Sequence, residues 1–387
     1  MTGIYLDHNA TTPTAPEVVA AMLPYFGERF GNASSVHAVG REARSAVDEA
    51  RRAVAELAGS APDEVVFTSG GTESDNLALR GVMTRAAARG RDVLVVSAIE
   101  HPAVLRAAEQ LAKEGVRVVL LPVDGDGVVR VTDLRDALAS HTVGLVSIMT
   151  ANNETGSLQP VAELAAASRE AGAPFHTDAV QAAGKVPLAF AAHDIDLMSL
   201  SAHKFYGPMG VGALIVRRGL RVSPTALGGK QEKTRRAGTE NLPAIVGMGV
   251  AARTALAELA TEPARLAALK RQLWEGISRS IPGAHLNGAL ERTLPSTLNV
   301  SFEGVDGEAL ILGLDLEGIR VSSASACSSG SVEPSHVLTA MGRDFDLARS
   351  SVRISLGRSN DRAQIERVLQ VLPQVVARIR SIALVSP

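Results

Sequence analysis

The 387 residues carry a formal net charge of -2, with 46% hydrophobic and 21% charged residues, 35 glycines and 18 prolines. That composition excludes a disordered or fibrous chain, and the length suits one large and one smaller domain, each with its own core. The paired arginines Arg217–Arg218 and Arg235–Arg236 are local features rather than a basic stripe, so nucleic acid is not an expected partner.

The first seven residues, MTGIYLD, have neither a basic segment nor an apolar signal core. No uninterrupted apolar stretch reaches the roughly 20 residues that cross a bilayer, so the expected compartment is the cytoplasm, with no membrane partner. Short apolar runs recur at 65–68, 93–97, 116–121, 145–149, 196–200 and 212–216, alternating with Ala/Arg-rich stretches that read as amphipathic helices. The alternation predicts an α/β fold with a mostly parallel sheet covered on both faces. Around residue 255 the pattern changes. A long helical stretch through Leu273 leads to strands at 297–302, 319–322 and 352–356 and a last helix over 362–382, as in an α+β domain.

The run TSGGTESDN at 68–76 puts two glycines between a strand and a helix start, where backbone and unpaired N–H groups can approach an anion. It lacks the endings of nucleotide loops, so a small phosphorylated cofactor suits it better, although many such turns are glycine-rich for steric reasons only. His101, in SAIEHP at 97–102, either lies over a flat ring and carries protons or is structural. ANNETG at 151–156 offers amides to a substrate or ring, or is an ordinary turn. In FHTDAVQ at 175–181, Asp178 either caps a helix or pairs with a protonated ring nitrogen while Gln181 reaches another polar atom of that ring, as pyridoxal phosphate requires.

Lys204 is more telling. It is one of only six lysines among 39 basic residues, and it follows an apolar strand beside His203 in MSLSAHKFYG at 198–207. Arginine neither deprotonates nor forms a Schiff base there, whereas a desolvated lysine does both. Asp178 and Lys204 on successive strand ends share one edge of the sheet, where ligands bind in such folds. The single cysteine, Cys327, excludes an intrachain disulfide and any multi-cysteine metal site. Its surroundings, VSSASACSSGSV at 321–332, are too small and polar to pack a core, which favours a nucleophilic thiol. Arg353, in a later strand, can grip a carboxylate bidentately.

Nine ordered motifs now stand together: YLDHNATT (5–12), GNASSVH (31–37), SGGTESDN (69–76), EHP (100–102), NNETG (152–156), HTDAVQ (176–181), SAHK (201–204), RRAGTEN (235–241) and SACS (325–328). Over nearly the whole chain they resemble the cysteine desulfurases, nearest to the nitrogen-fixation and iron-sulfur-cluster branch. The resemblance implies a fold-type I pyridoxal phosphate enzyme of the class V aminotransferase family, usually a homodimer and without a catalytic metal. It implies a large cofactor domain at 15–255 with a mostly parallel seven-stranded sheet, and a small α+β domain of 1–14 and 256–387 carrying the reactive-cysteine loop. By the same resemblance Lys204 would hold the cofactor as a Schiff base, Asp178 would pair with the pyridinium nitrogen and Gln181 would contact the ring hydroxyl. His101 would stack on the ring and assist proton transfer. Thr72, Ser201 and His203 would bind the phosphate, with Thr239 reaching it from the partner subunit. Asn153 and Arg353 would hold the substrate carboxylate, with Asn32 a further candidate. Cys327 would take sulfur from L-cysteine, leaving L-alanine and a persulfide for an acceptor such as an iron-sulfur scaffold or another sulfur carrier.

Three positions depart from the family pattern: Lys230 where a third glycine is common, Lys233 where arginine is usual, and Ala324 where glycine is frequent. None removes a chemical group. The chain ends soon after its last helix, which leaves the sulfur acceptor open. A selenocysteine lyase would use the same constellation. An aminotransferase would have no use for Cys327, and an idle carrier or scaffold would be expected to lose Lys204 or Asp178.

Overall fold

The computed structural model describes residues 3–323 and 334–383; Ala324 and Cys327 lie outside the described residues. In chain order the strands are β1 (Ile4–Tyr5), β2 (Val65–Thr68), β3 (Val93–Ser97), β4 (Arg117–Leu121), β5 (Val143–Ser147), β6 (Phe175–Asp178), β7 (Leu197–Ser201), β8 (Gly212–Val216), β9 (Ala284–Leu286), β10 (Thr297–Phe302), β11 (Ile319–Arg320), β12 (Ser322–Ser323) and β13 (Ser351–Ser355). Seven of them form one sheet in the order β2-β8-β7-β6-β5-β3-β4. Only β8 runs against its neighbours β2 and β7. The central strands are buried along their whole length, which is why they read as continuous apolar runs rather than alternating ones. Because β2, β3, β5, β6 and β7 run the same way, the segments that follow them all emerge at one edge.

Most strands fall where the apolar runs place them. Strand β5 starts at Val143, two residues earlier than the pattern suggests, and so takes in Gly144. A Cβ at that glycine would lie 2.3 Å from the Arg91 carbonyl oxygen, so close backbone approach places a residue of low strand propensity there. The long helical stretch is two helices, Leu242–Glu258 and Glu262–Ser280, bent by 71°. Pro263 falls in the first turn of the second, where its missing N–H costs nothing. No single helix among the described residues is long and apolar enough to cross a membrane.

Strands β12, β13, β10 and β9 form a second, antiparallel sheet. Its core joins Leu6 to side chains running from Leu266 to Val376. The N-terminal segment reaches this region through β1, which pairs in parallel with β11, and through the Leu6 amide, 2.8 Å from the Arg320 carbonyl. Beyond Leu6 the chain crosses to the edge of the large sheet and brings Asn9 and Ala10 with it. Arg353 sits on β13 opposite Asn299 and Ser322.

Candidate active site

The segments leaving the large sheet, together with Asn9, Ala10 and Arg353, enclose a cavity of about 310 Å³. That size suits a small organic ligand. At one end stand Gly71 and Thr72, at the start of the helix Gly71–Ala87, with Ser201 and His203 beside them. The N-cap residue is Gly70, which offers no side-chain cap to the first turn. Gly71 leaves no room for a larger residue, since a Cβ there would lie 2.8 Å from Val180 Cγ2. Uncapped N–H groups at the positive end of a helix favour an anion. His203 is neutral at pH 7, because burial and then the charges of Lys204 and Lys185 push its pKa down to about 4.

Deeper in, Asp178 at the end of β6 accepts the Val180 amide at 2.8 Å. Burial raises its pKa, while His101 and Lys204 pull it back. Behind it lies Asp75, raised well above the ordinary carboxylate range by burial and then by the charge of Asp178. Two adjacent buried carboxyls do not both ionise. Asp75 is the more strongly held in its neutral form, while His101 and Lys204 favour the charge on Asp178. His101 caps the helix Pro102–Lys113 by accepting the Ala103 amide on Nδ1 at 3.1 Å. Burial lowers its pKa, so the neutral ring holds its proton on Nε2.

Lys204 closes the 3-10 turn Ala202–Lys204 directly after β7. Its Nζ donates to the carbonyls of Asn9 at 2.6 Å and Ala10 at 2.7 Å. Two residues on, Tyr206 adopts a left-handed backbone with φ 65°. Its amide donates to Thr12 Oγ1 at 2.8 Å, its hydroxyl accepts the Arg358 amide at 2.7 Å, and the Arg358 guanidinium lies over the ring at 4.0 Å. Those contacts hold a strained residue beside the amine, as is common at functional sites. Opposite stands Arg353, buried, with Nη1 donating to the Asn153 carbonyl at 3.0 Å and Nη2 to Asp7 Oδ1 at 2.8 Å. Among the described residues its buried Nε has no hydrogen-bond partner, leaving donor capacity for an anion. Gln181 Nε2 donates to the Asn9 carbonyl at 3.0 Å.

The donor set therefore fits a flat ring with a phosphate arm. The cavity's lining combines an anion cradle, a buried carboxylate, an amine and a second cation. Asn9, Asp75 and Lys185 were not singled out from the sequence. Asn9 and Asp75 do fall inside the runs YLDHNATT and SGGTESDN, while Lys185 is marked only by the scarcity of lysine. Two candidates stand elsewhere: Asn32 is exposed with Oδ1 accepting the Ser34 amide, and Thr239 is exposed and does not line the cavity. Lys230 and Lys233 line a separate cleft of about 570 Å³. There Glu232, Lys233 and Thr234 all have positive φ, and Arg51 fixes that turn by gripping Glu232 at 2.7 and 2.8 Å.

Glu100, next to His101, is fully buried, and burial pushes its pKa from 4.5 to about 8. The native state therefore holds a proton that the unfolded chain releases. The stability this group contributes is complete below about pH 4.5 and declines toward about pH 8, by up to about 1.4 kcal/mol per unit. Glu100→Gln, permanently neutral, is expected to flatten that decline and to gain on the wild type at pH 8 relative to pH 5. Urea melts at the two pH values check it; a parallel decline in both proteins would refute the buried acid.

The aminotransferase class-V family model matches residues 4–368. A cysteine desulfurase of Gluconacetobacter diazotrophicus is 48% identical over 385 residues, covering 99% of this chain and 96% of that protein. The chain belongs to the cysteine desulfurase family. It is a family of pyridoxal phosphate enzymes within the class-V aminotransferases. The cysteine desulfurase IscS of Dictyoglomus turgidum is 45% identical over 380 residues, 98% of this chain and 96% of that one. Among solved structures, a NifS-like protein superposes with a TM-score of 0.91 at 36% identity, covering 97% of this chain and 100% of the other. SspA in complex with cysteine gives 0.81 at 35% identity, with 91% and 98% covered. The seven-stranded, mostly parallel sheet with its smaller antiparallel partner is the fold of these NifS-like proteins.

Proposed function

We propose that the cavity holds pyridoxal 5'-phosphate and that the protein uses it to remove sulfur from L-cysteine, giving L-alanine and a persulfide on Cys327. The observation that carries this reading is the convergence of Lys204, Asp178, His101 and the uncapped helix start on one cavity. When bound, the cofactor supplies an electron sink for the substrate's α-carbon. Thr72, Ser201, His203 and the first N–H groups of Gly71–Ala87 take the phosphate. Asp178 would pair with the ring nitrogen, its charge favoured over that of Asp75, whose carboxyl is held well above the ordinary range by burial and then by Asp178. His101 would cover the ring, and Gln181 would contact its hydroxyl. The Lys204 amine would hold the cofactor and, when free of it, would take the substrate's α-proton. Arg353, steadied by Asp7, grips the substrate carboxylate with Asn153 alongside. The Cys327 thiolate attacks the substrate sulfur. An S–S bond forms, the carbon–sulfur bond breaks with its electron pair going to Cβ, and protonation of Cβ together with return of the α-proton gives alanine.

The same reading takes 15–255 as the cofactor domain and 1–14 with 256–387 as the small domain, supported by the core that joins Leu6 to Leu266 through Val376. It takes the active unit as a homodimer in which Thr239 reaches the neighbouring phosphate. Six apolar side chains between residues 19 and 39 are exposed on the single chain, Val19, Leu23, Phe26, Phe30, Val36 and Val39, as expected of a surface that a second copy covers. The persulfide then passes to a sulfur-acceptor protein, such as an iron-sulfur scaffold, in the cytoplasm. Purified protein given L-cysteine and a thiol reductant should release alanine and sulfide in equal amounts while sedimenting at twice the chain mass. Failure to release both sinks the activity, and a fully active monomer sinks the shared site.

A further inference from the structure

Lys185 plays no part in the chemistry above, yet it is one of six lysines and is only 9% exposed. It follows Gln181 by four residues in a turn. Its ammonium donates to Gln181 Oε1 at 3.0 Å and to Asn9 Oδ1 at 3.2 Å. No carboxylate pairs with it among the described residues. A buried, unpaired ammonium costs stability that a methionine of similar volume would not, so its retention calls for another account.

An ammonium has hydrogens and no lone pair, whereas an amide side chain has a donor end and an acceptor end. With Nζ on both oxygens, both NH2 groups are turned the other way. Gln181 Nε2 meets the Asn9 carbonyl at 3.0 Å. Asn9 Nδ2 meets Thr297 Oγ1 at 3.0 Å and the Asn153 carbonyl at 3.2 Å. The Asn9 carbonyl also receives Lys204 Nζ, and the Asn153 carbonyl receives Arg353 Nη1. One cation thus orients the two amides through which Gln181, Lys204 and Arg353 are tied together.

We infer that Lys185 is a positioning residue of the cofactor site, fixing the amides of Gln181 and Asn9 so that Gln181 presents its NH2 and Lys204 and Arg353 keep a common backbone support. The inference rests on the cofactor reading above. Burial and then the charges of Lys204 and Arg353 push the Lys185 pKa down to about 7, and its own charge in turn lowers those of His8 and His203. A deprotonated amine has a lone pair and no longer dictates which end of an amide faces it.

The test compares Lys185→Met, which keeps the length without donors, with Lys185→Arg, which keeps donors and charge. Two readouts are taken: equilibrium dialysis of pyridoxal phosphate against the apoprotein, and the pH midpoint of the bound cofactor's absorbance change. Lys185→Met should weaken binding at least about 5-fold and raise the midpoint by about half a unit or more, since removing a nearby cation favours protonation. Lys185→Arg should recover at least half of each effect. Adding Gln181→Leu to Lys185→Met should cost less than it does in the wild type, the non-additivity expected when one residue acts through the other. Unchanged affinity and midpoint in folded Lys185→Met, or an arginine variant as impaired as the methionine one, overturns the inference. If Lys185→Met does not fold, Lys185→Gln, with one amide donor group and no charge, serves the same comparison. Wild-type apoprotein run in parallel separates failure of the cofactor reading, which would show as no binding in any protein.

Discussion

Lys204→Ala is expected to stay folded and to lose turnover by at least about 10³-fold, the scale on which removal of a positioned acid–base group acts. The side chain is half-buried, lines the cavity and donates to the backbone carbonyls of Asn9 and Ala10, which line it too. Removing it therefore enlarges a cavity that already exists rather than opening a void in the packed core. Lys204→Arg makes the sharper comparison. A guanidinium can still donate to Asn9 and Ala10, but it neither attaches to the cofactor nor gives up a proton at working pH. Both variants should bind pyridoxal phosphate reversibly, lack the lysine-linked absorbance and release no alanine from L-cysteine. Retained activity in either would remove Lys204 from the role assigned to it.

Much of this site was legible because strands buried on both faces announce themselves as apolar runs, and the residue after such a run lands at the sheet edge where ligands bind. That is how Lys204, Asp178 and His101 stand out before any coordinates. Element ends were less legible. Gly144 belongs to β5 because the Arg91 carbonyl packs against it, a contact 53 positions away in sequence that no local pattern carries. Asn9, Asp75 and Lys185 carry no clear local signal for a similar reason. Asn9 acts through its backbone carbonyl as much as its side chain, and a carbonyl has no sequence signature. Asp75 lies one turn into a helix and gains its role only where Asp178 approaches it from the end of β6. Lys185 takes its meaning from two amides that the fold brings to it.

Cys327→Ser separates cofactor chemistry from sulfur transfer. Among the described residues, the cavity's amine, carboxylate, anion cradle and arginine come from the large sheet, the N-terminal segment and β13. The serine variant should therefore bind pyridoxal phosphate with wild-type affinity and show the wild-type spectral change when L-cysteine is added. Sulfide release should nevertheless fall by at least about 10²-fold, because a serine hydroxyl stays protonated at neutral pH and is a poor nucleophile toward divalent sulfur, whereas a thiolate is accessible and soft. In the wild type, the single cysteine allows one place for the product. After brief treatment with L-cysteine, mass spectrometry should find one added sulfur atom on the peptide containing Cys327 and none on that peptide in the serine variant. Full sulfide release by Cys327→Ser, or a wild-type peptide that never gains the mass, would mean that sulfide is expelled directly from the substrate, and the chain would act as a lyase rather than as a carrier of sulfur.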